Sequence, residues 1–167
     1  MAYIEPVGIA MVAAPEKRKD PMSEYGSLRE KIAAESEARK IKYAAFEVAY
    51  AKAAAAGKAA GEAAMPCPMI VQQRASPLND NSVVVQQWRV PEGMCGFAWV
   101  TVSPGNCAFA NWLKKNKFAS KAYGGGVQIW INAFNQSVER KEACANAMAA
   151  VLREELGVKA FSGSRLD

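Results

Sequence analysis

Met65-Pro66-Cys67-Pro68 divides the chain into two parts with different periodicities. The two prolines remove backbone donors and push their predecessors out of helical geometry, so no helix continues through this point. Upstream, residues 27–64 are rich in Ala, Glu, Lys and Arg, all good helix formers. Ser27-Leu28-Arg29-Glu30 supplies a capping box, the serine accepting from the amide three residues on while the glutamate reaches back. The sequence predicts a helix from about Leu28 to Ala55, fraying towards Gly57 and Gly61. Ile41, Ala45 and Val48 recur at helical spacing with Tyr43, Phe46 and Tyr50 adjoining, a stripe that needs a surface to dock on. Gly57 and Gly61 have a small-xxx-small spacing, but Lys58 and Glu62 exclude a membrane helix. Residues 1–26, broken by Pro6, Pro15 and Pro21, read as a flexible tail.

Downstream the pattern changes to strands. A polar linker is expected over 65–81, followed by an α+β domain over 82–167. Val83 to Val90 and Phe97 to Val102 are β-branched and apolar, and Pro91-Glu92-Gly93 between them predicts a hairpin. Ser103-Pro104 has the residues of an N-cap and first helical position, opening a helix that turns Phe109, Trp112 and Leu113 inward. Gly124 to Gly126 lead into a strand from Val127 to Ile131. Ser137 caps a second helix with Cys144, Met148 and Leu152 on its apolar stripe, Gly157 stops it, and Val158 to Phe161 makes a last strand. The reading is β-β-α-β-α-β: a small mixed sheet with two helices on one face, preceded by a long helical arm.

Composition bounds the chemistry. The chain has 167 residues, 51% of them hydrophobic, enough for a packed core. No apolar run reaches the ~20 residues of a membrane span, and Glu5 and Pro6 stand where a signal peptide wants positive charge. A cytoplasmic protein, in a bacterial host on the resemblance below, is expected. The four cysteines are 28, 12 and 37 residues apart, without metal-knuckle or redox-pair spacing, and are expected as free, mostly buried thiols. There is no histidine, so general-base work near pH 7 and the usual nucleophile triads have no base. Acids that might hold a catalytic cation are scattered. The expectation is a protein that is not an enzyme, with no cofactor and no metal.

The net charge of +5 is unevenly placed. Residues 1–62 hold ten bases and nine acids and residues 139–167 five of each, whereas no acid occurs between Gly93 and Val138. Within that window Lys114, Lys115, Lys117 and Lys121 run from the end of a helix into the glycine loop, with Tyr123, Gly125 and Trp130 following and Arg89 upstream. Lysines so placed either form a solvated face or contact phosphates without reading bases. The glycine run is either a flexible turn into the strand or a close approach to a ligand, and Ser103-Pro104-Gly105-Asn106 is a cap or an anion site. If Val127, Ile129 and Ile131 face the helices, Trp130 points to the other side, together with Phe97 and Trp99. The sequence predicts that the N-terminal helix covers this face, burying Ile41, Phe46 or Tyr50 against Trp99 or Trp130. A partner subunit is the alternative cover, and an uncovered face is a platform for stacked bases.

Residues Gly96 to Asp167, with "GFAWVTVSPGNCAFANWLKKN", "KAYGGGVQIWI" and the closing "SRLD", resemble small uncharacterised proteins of tailed bacteriophages. The resemblance covers less than half of the chain, in motifs with no assigned role. It implies an accessory protein made in a bacterial cytoplasm. Two functional expectations follow. One is DNA or RNA binding with little sequence preference through the Lys114–Lys121 segment, Tyr123, Gly125, Trp130 and Arg89. The other is a protein–protein interaction or assembly component, or a homo-oligomer, using the Trp99/Trp130 face or the N-terminal helix.

Overall fold

Helix α1 runs from Pro21 to Ala63. The computed structural model describes residues 21–167, with side chains from Gly26 onwards. Residues 1–20 of the expected tail lie outside the described residues, and residues 21–26 belong to the helix. Ser27 therefore stands inside α1 and its capping box is not the start. The chain divides into two compact units, Met1–Lys40 and Ile41–Asp167. In the described part of the first, Leu28 and Ile32 are exposed and Lys40 pairs with Glu37 at 3.1 Å. All else lies in the second.

Strands β1 (Met69–Arg74) and β2 (Val84–Val90) form an antiparallel hairpin, with Met69 opposite Val90 and Val71 opposite Trp88. This replaces two expectations, a linker over 65–81 and a pairing of Val83–Val90 with Phe97–Val102. The polar segment between the strands is a turn that satisfies itself. Ser82 N–H donates to the Asn79 carbonyl at 2.9 Å, and its hydroxyl donates to the Ser76 carbonyl at 3.1 Å. That reversal pairs β2 with β1 across residues 75–83, although the strand beyond Gly93 lies closer in the sequence.

Strands β3 (Gly96–Ser103), β4 (Ser120–Lys121), β5 (Val127–Trp130) and β6 (Lys159–Leu166) form a second sheet in the order β4-β5-β3-β6. Helix α2 (Ala108–Lys115) connects β3 to β4, and α3 (Val138–Leu156) connects β5 to β6. Each helix thus joins two strands with a third inserted between them, the split β-α-β arrangement. Every pairing is consequently antiparallel, where a mixed sheet is expected. β6 extends to Leu166, well past the predicted end at Phe161.

One face of this sheet makes the core. Ala98, Val100 and Val102 of β3, Val127 and Ile129 of β5 and Ala160 of β6 are buried against Phe109 and Leu113 of α2 and Met148 and Leu152 of α3. Ser103 completes β3 opposite Lys159, so it cannot cap α2. The helix starts later, at Cys107, whose sulfur accepts from the Ala110 amide at 3.4 Å. Ser137 takes the N-cap position of α3 as expected, but its buried hydroxyl bonds nothing, and Gly157 ends the helix in the left-handed region.

From Ile41 onward α1 packs on the two helices and not on the opposite face of the sheet. The inward stripe is Phe46, Ala49, Ala53 and Gly57, while Ile41 and Val48 are 67% and 69% exposed. Aromatic matching and close approach explain the choice. Phe46 meets Phe109 at 5.3 Å and Tyr50 stacks on Phe118 at 4.7 Å. Gly57 lies so close to α3 that a Cβ there would come within 2.5 Å of Met148 Cγ. The predicted burial of Phe46 and Tyr50 against Trp99 or Trp130 is thus replaced by burial against α2 and its following loop.

Among the described residues no helix is long and apolar enough to cross a membrane. The cysteines are free thiols, but Cys67 and Cys95 are exposed and only Cys144 is fully buried, so the expectation of mostly buried thiols fails. Burial pushes the Cys144 thiol up from its ordinary value, leaving it protonated and unreactive near neutrality.

Candidate nucleic-acid interface

With α1 from Ile41 onward on the helical side, no described element covers the second face of the four-stranded sheet. Period-two alternation assigns it Phe97, Trp99, Thr101 and Ser103 from β3, with Gln128 and Trp130 from β5. Opposite β3, β6 adds Lys159, Phe161, Gly163 and Arg165, as the register pairs Ser103 with Lys159, Thr101 with Phe161, Trp99 with Gly163 and Phe97 with Arg165. Trp130 is 40% exposed and Phe161 56%. The four strands contain no Asp or Glu.

Backbone geometry sets the two tryptophans together. The Ile131 amide donates to the Ala98 carbonyl at 3.0 Å, so Trp130 and Trp99, one residue back on β5 and one forward on β3, form a non-hydrogen-bonded pair. Side chains approach closest in such pairs, and the ring centroids are 5.2 Å apart. Trp99 lies over β6. A Cβ on Gly163 would stand 2.8 Å from the indole Nε1, so glycine is required for the ring to rest there. Phe97 has two cations against its ring, the Arg165 guanidinium at 5.2 Å and the Lys141 ammonium at 5.5 Å. Lys141 is buried and donates to the Gly96 carbonyl at 2.9 Å. Phe97 is therefore a support, and Trp130 and Phe161 present exposed aromatic surface with the half-buried Trp99 beside them.

The residues singled out in the sequence separate into two groups. Lys114, Lys117 and Trp130 come together at the β5 edge, around a groove of about 350 Å³ whose walls include Ser120, Gln128 and Asn132. Lys114 is partly committed, donating to the Gly105 carbonyl at 2.9 Å. Lys115 points to α1, with its ammonium 5.6 Å from the Tyr43 ring. Lys121 is exposed on β4 but pairs with Val127, so alternation assigns it to the opposite face. Tyr123 is fully exposed in the turn between β4 and β5, and Gly125 serves that turn with φ at +94°. Arg89 stands on the separate hairpin, opposite Ile70.

Sequence reasoning missed Lys159, Phe161 and Arg165. The signal was present as alternation through Lys159-Ala160-Phe161-Ser162-Gly163-Ser164-Arg165, once the strand is carried past Phe161. The acids are engaged elsewhere. Glu139 accepts from the Cys67 amide at 3.0 Å, Glu92 pairs with Arg140 at 2.7 Å, and Glu142 accepts from the Ser164 hydroxyl. Among the described residues no cluster of three or more Cys, Asp or Glu could hold a metal ion. Compared with known proteins, the chain matches no family model, no curated protein and no solved structure.

Proposed function

We propose that this chain is a non-enzymatic binding protein for single-stranded nucleic acid, which it holds on the open face of the four-stranded sheet. The observation that carries the reading is an aromatic face that no described element covers, with Trp130 and Phe161 exposed and Trp99 half-buried beside them, set among Lys117, Lys159 and Arg165 with no acid on its strands. Bases splayed from a single strand stack on such rings, and the flanking cations neutralise its phosphates. A duplex keeps its bases stacked on one another and offers this face only its backbone. Sheet-based RNA-recognition modules also carry stacking aromatics on a four-stranded sheet, an analogy that supports the placement of the rings without assigning a function. The polar fringe holds little that reads base edges beyond one groove, so most of the bound strand is gripped without regard to sequence.

The test is binding of single- and double-stranded DNA and RNA over a salt series. Single strands should bind tighter than duplexes of equal length, with affinity falling as salt rises. Absence of any salt-sensitive binding at low ionic strength contradicts the reading.

One observation favours a second reading, a protein-interaction or assembly component. Ile70, Val83, Val85 and Trp88 of the hairpin and its turn are exposed, with no covering element among the described residues, and apolar patches of this kind mark protein contacts. Under this reading nucleic acid has no effect on the tryptophan fluorescence of the sheet.

A further inference from the structure

The groove at the β5 edge is more than a continuation of the open face. β4 is two residues long and pairs only with Val127 and Gln128, so no strand lies beside Trp130 on that side. Because Ile131 bonds Ala98 on β3, the main-chain N–H and C=O of Trp130 point the other way, into the groove. One backbone donor and one backbone acceptor are thus presented next to an exposed indole. Gln128 and Asn132, on the same side by alternation, add two carboxamides, and Lys117 also lines the groove. The volume, about 350 Å³, is near the lower limit of small-molecule clefts, room for one nucleotide and not for several.

Resting on the single-strand reading above, we infer that this groove accepts one base of the bound strand and prefers adenine. The base stacks on Trp130, its donor–acceptor edge is met by the Gln128 or Asn132 carboxamide and the Trp130 main chain, and Lys117 meets the adjoining phosphate. A carboxamide offers one donor beside one acceptor, which matches the N6 and N7 groups of adenine. Guanine presents two acceptors on that edge and needs a cation there, whereas Lys114 is committed to the Gly105 carbonyl and Lys117 to the phosphate, and the pyrimidines have no N7 acceptor. The larger purine also covers more of the indole. The face as a whole then grips a strand of any sequence while one position is selective.

The experiment compares oligo-thymidine strands that are uniform with strands carrying one adenine, guanine or cytosine at the centre, as DNA and as RNA with uridine. Wild type should bind the adenine-bearing strand about tenfold tighter than the uniform one. Gln128→Ala with Asn132→Ala should erase that difference, so that the adenine-bearing and uniform strands bind alike. Asn132→Ala alone, at an exposed position, reports on the groove if the double variant folds poorly. Equal binding of all strands by wild type overturns the inference while the single-strand reading stands. A preference for guanine, or an adenine preference that survives the double variant, overturns it as well. Absence of binding to every strand overturns both.

Discussion

The four-stranded sheet and the β1–β2 hairpin both present tryptophan and basic residues to solvent, yet they are backed very differently. Trp99 and Trp130 stand on strands whose other face is buried against α2 and α3, and Gly163 lets one indole rest on the neighbouring strand. Trp88, opposite Val71, stands on a two-stranded ribbon exposed on both faces, since Ile70 and Arg89 reach solvent on the other side. A lone two-stranded hairpin is marginal in water, so its side chains are held by little besides the ladder. A ring that is already ordered receives a base without the entropic cost of being fixed first. The same residue types therefore make a rigid platform in one place and an adaptable contact in the other.

Five sets of substitutions test this contrast, the largest expected effect first. Leu152→Ala, beneath the platform, should lower unfolding free energy by about 2–5 kcal/mol, while Val85→Ala on the hairpin should stay within about 0.5 kcal/mol; denaturant titration separates them. Trp99→Ala or Trp130→Ala should cost roughly 1–3 kcal/mol in single-strand affinity, with Trp88→Ala without effect. If Trp88→Ala weakens binding equally, the contrast is wrong. Gly163→Ala should displace the Trp99 indole and weaken single-strand binding, with the melting temperature nearly unchanged because β6 is an edge strand. Lys117→Gln should reduce the salt slope of binding by about one unit, whereas Lys115→Gln and Arg89→Gln should leave it unchanged. The smallest effect belongs to Ser137→Ala. Its buried hydroxyl has no partner, so melting should show no loss and a slight gain in stability.

Much of the fold was legible because local chemistry and tertiary outcome agree. The break at Met65 to Pro68, the helix from Ser137 to Gly157 and the alternation that aims Trp99 and Trp130 away from the core all follow from residues within one turn or one strand. Other features depended on partners remote in sequence. Phe46 and Ala49 prevail over Ile41 and Val48 on α1 because the aromatic rings of α2 and the close fit at Gly57 lie on that side. The hairpin was hidden because Gln72 and Gln73 break the apolar pattern of β1, and the turn that joins it to its partner β2 reads as linker. Lys115 and Lys121 shared a basic run with Lys117, but helix rotation and strand alternation send them to different faces. Charge clustering in sequence leads to the edge of the proposed interface, at Lys114 and Lys117, and Lys159, Phe161 and Arg165, on the far side of the sheet, needed the strand order.

The most direct test of the account is a tryptophan-quenching titration with a single-stranded oligonucleotide and a duplex of equal length, on wild type and on Trp99→Ala/Trp130→Ala. The account predicts saturable quenching of wild type by the single strand, a much weaker response to the duplex, and loss of both quenching and affinity in a double variant that still melts as wild type. Undiminished single-strand affinity in that folded variant would contradict it.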